Sequence, residues 1–242
     1  MKKSEIASPL ARNDKVIVAL DTPKLSSLKT LLDQLDGVIS YYKIGLELFT
    51  ALGWPAVDLV KKKGNKIFLD LKLHDIPNTV SKTAAVICGH DVDMFNVHAL
   101  GGFEMMKKTR EAVDSACEKN KKPLVIAVTI LTSHDQQDLK KIGINEKIEN
   151  QVLNLAELAQ SAGLDGVVSS PQEISAIRKK MAKDFLIVTP GIRPAGSAMG
   201  DQKRTFDPKE AFSAGASYIV VGRPITEAEN PGKAAASIIQ SL

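Results

Sequence analysis

Aromatic residues make up 5% of the 242-residue chain, too few and too scattered to form a platform on which nucleic-acid bases could stack. The 32 Lys and Arg alternate along the chain with 28 Asp and Glu, so the formal net charge of +4 describes no basic stripe for nucleic acid. A mild positive field does suit a small anionic substrate. Cysteine occurs only at positions 88 and 117, in segments that read as helical and without C-x-x-C spacing. That pattern argues against a disulfide framework and against a zinc site. The other histidines, His74, His90 and His134, share no ligand-like spacing with one another, so no metal is expected. No apolar run approaches the roughly 20 residues that span a bilayer. The opening stretch MKKSEIASPLARNDK also lacks an apolar signal core. The expectation is a cytoplasmic protein without membrane contact. Finally, no G-x-G-x-x-G follows the first apolar run, which disfavours an open doubly wound sheet of the dinucleotide-binding kind.

What the chain does have is repetition. Eight short apolar runs appear in turn: 16–21 (VIVALD), 41–45 (YYKIG), 66–72 (KIFLDLK), 94–98 (MFNVH), 124–131 (LVIAVTIL), 166–170 (GVVSS), 185–192 (FLIVTPGI) and 218–223 (YIVVGR). Several are continuously apolar, as parallel strands buried on both faces must be. Between them lie stretches with helical periodicity at 25–35, 47–62, 79–90, 103–118, 148–161, 172–181, 209–214 and 226–239. Pro23 with Ser26, Pro171 with Glu173, and Asp207 before Pro208 and Glu210 read as helix starts. Gly37, Gly64, Gly89, Gly163 and Gly215 read as helix ends. Eight strand-then-helix repeats without a break in composition predict one α/β domain over residues 1–242, a closed (β/α)₈ TIM barrel. A short capping helix is expected at 4–12, before the first strand.

The stretch IFLDLKLHDIPN at 67–78 is the most informative. Along a strand, Ile67, Leu69, Leu71 and Leu73 share one face, and Phe68, Asp70 and Lys72 share the other. Opposite charges are tolerable on a buried strand only near its end, where they pair and reach water or a ligand. Asp75 follows as the strand gives way to a loop, so D-x-K-x-x-D brings two carboxylates and an ammonium to one small volume. A lone ion pair at a sheet edge could explain this. It does not explain Asp21 after strand 1, Lys43 at the end of strand 2, Asn96 and His98 on strand 4, Thr132 and Ser133 after strand 5, Arg193 after strand 7, and Gly222 with Arg223 after strand 8. All fall at the C-terminal ends of strands, where barrels of this kind carry their sites. Asn96 and His98 could be catalytic, but the reading preferred for both is structural, hydrogen-bonded within the mouth. The long, Gly-rich and basic segment PGIRPAGSAMGDQKR at 190–204, with Gly222-Arg223, suits a phosphate dianion. Met105, Met106 and Trp54 read as packing residues.

With these residues placed, nearly the whole chain resembles the orotidine 5′-phosphate decarboxylases. FLDLKLHDIPNTV is similar to that family's D-x-K-x-x-D-I-P-N-T signature, and LTS at 131–133, PGIRP with GDQKR, and VGRPIT at 221–226 are similar to its other blocks, in order. One departure is visible: TFDP has Asp207 where similar bacterial enzymes usually have Thr, and Asp caps a helix equally well. The resemblance implies decarboxylation of orotidine 5′-monophosphate to UMP without metal or cofactor. Lys72 would protonate C6 and Asp70 would lie against the departing carboxylate. Lys43, Asp70, Lys72 and Asp75 would form an alternating charged network, with Asp75 and Thr79 supplied across a homodimer interface. Asp21, Lys43, Asp75 and Thr79 would hold ribose hydroxyls, and Thr132 and Ser133 the ribose or pyrimidine edge. Arg193, Gln202, Gly222 and Arg223 would hold the phosphate side. Two alternatives stay open: a Mg²⁺-dependent sugar-phosphate lyase or decarboxylase on the same barrel, and a nucleotide-binding barrel without turnover.

Overall fold

A computed structural model describes residues 14–118, 121–193 and 206–242. Eight parallel strands close into a barrel in sequence order. They are β1 (Val16–Ala19), β2 (Tyr41–Gly45), β3 (Lys66–Leu73), β4 (Met94–His98), β5 (Leu124–Val128), β6 (Gly166–Val168), β7 (Leu186–Thr189) and β8 (Tyr218–Val221). β1 pairs with β8 through Val16↔Ile219, Ile17↔Val220 and Val18↔Val221, which completes the ring. The expected capping helix at 4–12 lies outside the described residues, as does 194–204 of the basic loop.

The eight predicted strands are all present, most of them shorter than the apolar runs that announce them. The helix Ile148–Ser161 matches its expected span. The stretch expected as one helix at 47–62 is instead two, Leu46–Leu52 and Trp54–Lys62. Gly53, at φ 60°, takes a left-handed conformation and Pro55 lacks an N–H, so the first helix cannot continue through them. The expected 226–239 helix is likewise divided into Arg223–Thr226 and Pro231–Gln240, the latter capped by the Asn230 side chain. A further helix, Gln136–Lys141, begins on a capping box formed by Asp135 and Asp138. Asp207 caps the helix Pro208–Ala214, as expected.

Alternation along the strands makes two cores. Val16, Val18, Leu69, Phe95, Val97, Val125, Val167 and Ile187 face the surrounding helices. Ile17, Ala19, Tyr41, Phe68, Met94, Ile126, Val188 and Val220 fill the barrel interior. Two residues further along several strands, the interior-facing positions turn polar: Asp21, Lys43, Asp70 and Asn96 stand above Ala19, Tyr41, Phe68 and Met94.

The opposite end of the barrel is locked by a repeated device. The residue just before β4, β6 and β8 uses its side chain to accept an N–H from the preceding strand. Asp93 accepts from Ile67 at 2.8 Å, Asp165 from Val125 at 2.6 Å, and Ser217 from Ile187 at 3.1 Å. Lys61 neutralises Asp93, and Arg110 neutralises Asp165, each at 3.1 Å.

One expectation is overturned here. Cys88 and Cys117 form a disulfide, with Cα atoms 5.7 Å apart. Cys88 ends the helix Pro77–Cys88 and Cys117 directly follows the helix Phe103–Ala116. Those helices pack side by side in the same direction, so their ends meet. Short-range spacing rules do not register a pair 29 residues apart. Closing a loop of that length contributes about 3–4 kcal/mol in the chain-entropy account. Thiol titration of the native protein should therefore find no free cysteine, and dithiothreitol should lower the denaturant midpoint; two titratable thiols in the oxidised protein would contradict the bond.

Candidate active site

At the mouth of the barrel, a carboxylate on β3 organises its neighbours. Asp70 is 8% exposed. Its Oδ1 accepts hydrogen bonds from Lys72 Nζ and from Asn96 Nδ2, both at 2.7 Å. Its Oδ2 lies 3.4 Å from Lys43 Nζ, which also donates to Asp21 Oδ1 at 3.2 Å. The charges alternate as Asp21, Lys43, Asp70, Lys72, running across β1, β2 and β3. Burial pushes the Asp70 carboxyl up, but Lys43, Lys72 and the hydrogen bonds from Lys72 and Asn96 outweigh it and hold the group below the usual carboxylate value.

The β3 backbone is irregular where it carries Lys72. The ladder to β4 pairs Leu69 with Phe95 and next Leu73 with Val97, four steps on one strand against two on the other. Within that interruption Lys72 takes φ 52°. A side chain other than glycine held there costs on the order of 1–3 kcal/mol, and surrounding structure must maintain it. The Lys72 N–H donates to Asn96 Oδ1 at 2.8 Å. Bulges of this kind re-aim side chains beside active sites.

Lys43, Phe68, Asp70, Lys72, Thr132 and Ser169 line a cavity of about 220 Å³. It adjoins a larger opening edged by Asp21, Arg193, Gly222 and Arg223, the two sharing Lys43, Pro190 and Val220. The Arg193 N–H donates to Phe206 O at 3.0 Å, so the flanks of 194–205 meet beside this opening. Burial and the nearby Arg223 depress the pKa of Arg193, and the Glu227 carboxylate opposes them only in part.

Of the expected site residues, Asp21, Lys43, Asp70, Lys72, Thr132, Arg193, Gly222 and Arg223 gather at these two cavities. Ser133 is exposed beside Thr132, outside both linings. Asp75 and Thr79 are exposed on the loop and first helical turn beyond β3, and among the described residues no ion pair involves Asp75. Its Oδ1 accepts the Ile76 N–H at 2.7 Å. Gln202 lies outside the described residues. His98 is not part of the charged centre. Its Nδ1 accepts the Leu100 N–H at 3.3 Å and its ring stacks on His74 at 5.4 Å. Burial, then His74, Lys72 and His134, push its pKa down to about 4, so it is neutral near pH 7.

Asn96 is hydrogen-bonded within the mouth, as expected, and there it joins Asp70 to the Lys72 backbone. Sequence reasoning missed Gly45. Gly45 closes β2, and a Cβ there would stand 2.7 Å from Lys43 Nζ and 3.4 Å from Asp21 Oδ1. The missing side chain leaves room for the ammonium to bridge two carboxylates.

A (β/α)₈ barrel whose polar centre stands at the C-terminal ends of its strands is the architecture of a barrel enzyme. The comparisons narrow the class. Residues 14–238 match the Orotidine 5′-phosphate decarboxylase / HUMPS family. An orotidine 5′-phosphate decarboxylase from Moorella thermoacetica is 50% identical over 232 residues, covering 95% of this chain and 92% of that protein. One from Geotalea daltonii is 47% identical over 228 residues, covering 94% and 95%. The crystal structure of orotidine 5′-phosphate decarboxylase from Lactobacillus acidophilus superposes with a TM-score of 0.84 at 39% identity, covering 94% of this chain and 98% of that one. The chain belongs to this family.

The Gly45 backbone, at φ −95°, suits any residue. Gly45→Ala should accordingly still fold, because the added methyl meets the movable end of the Lys43 side chain. It should displace Lys43 and lower turnover by roughly 100-fold. A crystal structure of the variant with Lys43 still bridging Asp21 and Asp70 would count against this account.

Proposed function

We propose that the chain, acting as one barrel domain, converts orotidine 5′-monophosphate to UMP and CO₂ in the cytoplasm, and that Lys72 supplies the proton to C6. The observation that carries this reading is the Lys72 ammonium, held 2.7 Å from the buried Asp70 carboxylate at the edge of a cavity that opens toward Arg193 and Arg223. The relatives named orotidine 5′-phosphate decarboxylase, matched over nearly their whole length, support the substrate.

The chemistry explains why this arrangement is suitable. When the bond between C6 and the carboxylate breaks, its electron pair stays on C6 in an sp² orbital that the ring cannot delocalise. A cation fixed beside C6 stabilises that pair in the transition state, then donates the proton that quenches it. The amine regains its proton from water. Asp70 orients Lys72, and its own negative charge disfavours the substrate carboxylate beside it. Thr132 and the smaller cavity receive the pyrimidine, with Ser133 at its edge. Asp21 and Lys43 meet the ribose, and Arg193, Gln202, Gly222 and Arg223 meet the phosphate. The phosphate is remote from the broken bond, yet binding it can hold the ring in register with Lys72. No step calls for a metal or cofactor. Turnover that EDTA abolishes and Mg²⁺ restores would favour the sugar-phosphate activity of the family instead.

Asp75 and Thr79 complete the site from the partner subunit of a homodimer. In support, both residues are exposed, and the adjoining Ile76 is an apolar side chain 66% exposed at the rim. Asp75 lines neither cavity of its own chain, which accords with a role in the partner's site.

Lys72→Ala should lose many orders of magnitude in kcat while leaving the fold intact, measured by the fall in orotidine-phosphate absorbance; near-normal turnover would refute the assignment. Mixed Lys72→Ala and Asp75→Asn chains should regain part of the wild-type activity, because some mixed dimers contain one intact site. If subunit exchange is demonstrated and activity stays absent, each chain supplies its own Asp75.

A further inference from the structure

We infer that Asn96 is a positioning residue for the reaction: its carboxamide holds the Lys72 backbone and the Asp70 carboxylate in one geometry and so sets where the reactive ammonium stands. This rests on the decarboxylase reading above.

Three independent features converge on the residue. Asn96 is fully buried on β4, and both ends of its amide are used: Oδ1 accepts the Lys72 N–H at 2.8 Å and Nδ2 donates to Asp70 Oδ1 at 2.7 Å. The partners dictate this orientation of the amide, since an N–H can only donate and a carboxylate can only accept. Second, Asn96 lies opposite the stretch where the β3–β4 register slips, so its side chain satisfies an N–H inside the interruption. Third, that N–H belongs to the residue with left-handed φ, a conformation lysine adopts only when held. Releasing the N–H frees Lys72 to relax toward ordinary backbone angles and swings its side chain away from the cavity. Meanwhile Asp70 would keep Lys43 and lose a neutral donor on the oxygen that orients Lys72.

Carboxamide chemistry is required because the site needs an acceptor and a donor without a third charge. Aspartate in its place would accept from the Lys72 N–H, yet when ionised it would oppose Asp70 at hydrogen-bonding distance. Leucine would fill the volume and leave both partners unserved. His98, the next inward position on β4, makes no contact of this kind; it binds Leu100 and stacks on His74.

The test combines kinetics with crystallography. Asn96→Ala should lower kcat by roughly 100-fold, the usual consequence of a misplacement near 1 Å. KM for orotidine phosphate and Kd for UMP should change less than about threefold, because the ribose and phosphate contacts are untouched. Asn96→Asp keeps the volume and the acceptor and guards against a folding defect in the first variant. Its activity should recover as the pH falls, since a protonated carboxyl can donate to Asp70 as the amide does. Asp70 is faced by Lys43 from β2, Lys72 from its own strand and position 96 from β4, with Asp21 beyond Lys43, so these groups define the titration. In a crystal of Asn96→Ala, Lys72 should leave φ near 52° and lose its 2.7 Å contact with Asp70. Lys72 unmoved in that crystal, or kcat unchanged, overturns the inference. Should the wild-type chain fail to decarboxylate orotidine phosphate, the functional reading falls, and the crystal still decides whether Asn96 places Lys72.

Discussion

A buried carboxylate survives in this barrel because it is surrounded by donors. Desolvation alone would drive Asp70 toward its neutral form, and a neutral Asp70 would anchor neither Lys43 nor Lys72. The two lysines and the Asn96 amide reverse that tendency. The arrangement is mutually dependent: each ammonium is tolerable at the barrel mouth because the carboxylate is there, and the carboxylate is tolerable because of them. Removing one member leaves the others as uncompensated charges in a partly dry site, so the network stands or falls as a unit.

The barrel supplies this centre by simple alternation. On β1 to β4 the inward positions are apolar near the base and polar near the top, which places Asp21, Lys43, Asp70 and Asn96 above a packed floor of Ala19, Tyr41, Phe68 and Met94. The floor excludes water from below and leaves the cavity open on the side of Arg193 and Arg223. In the proposed reaction, substrate charge would meet protein charge at two separated points, the anionic tail at the arginine rim and the reacting carbon at Lys72, so that binding at one end would bring about positioning at the other.

Much of this is legible in the sequence. Strand parity alone puts Asp70 and Lys72 on the face opposite Leu69 and Leu71, and continuous apolar runs separated by helical stretches point to a closed parallel barrel. What stays hidden depends on the backbone departing from its period. The register slip after Leu69 leaves no compositional trace, so the tie between Asn96 and Lys72 cannot be inferred from spacing. The Cys88–Cys117 bond depends on two helices ending at the same height, a fact of packing rather than of local pattern. Gly45 reads as an ordinary strand end until the lysine beside it is seen to need the space. The split at Gly53 is different, because Gly-x-Pro at 53–55 is itself a legible helix break, set within a long apolar periodicity that runs across it.

The side-chain clasps that Asp93, Asp165 and Ser217 provide at the base have a bearing on how such a barrel can change over time. Each fixes the vertical offset between a pair of strands at the end of the barrel opposite the charged mouth. Loops at the rim can then lengthen, shorten or exchange residues without sliding one strand past another, and a one-residue slide would turn the inward charges out among the helices. A foundation pinned in this way leaves the upper surface free to explore new chemistry.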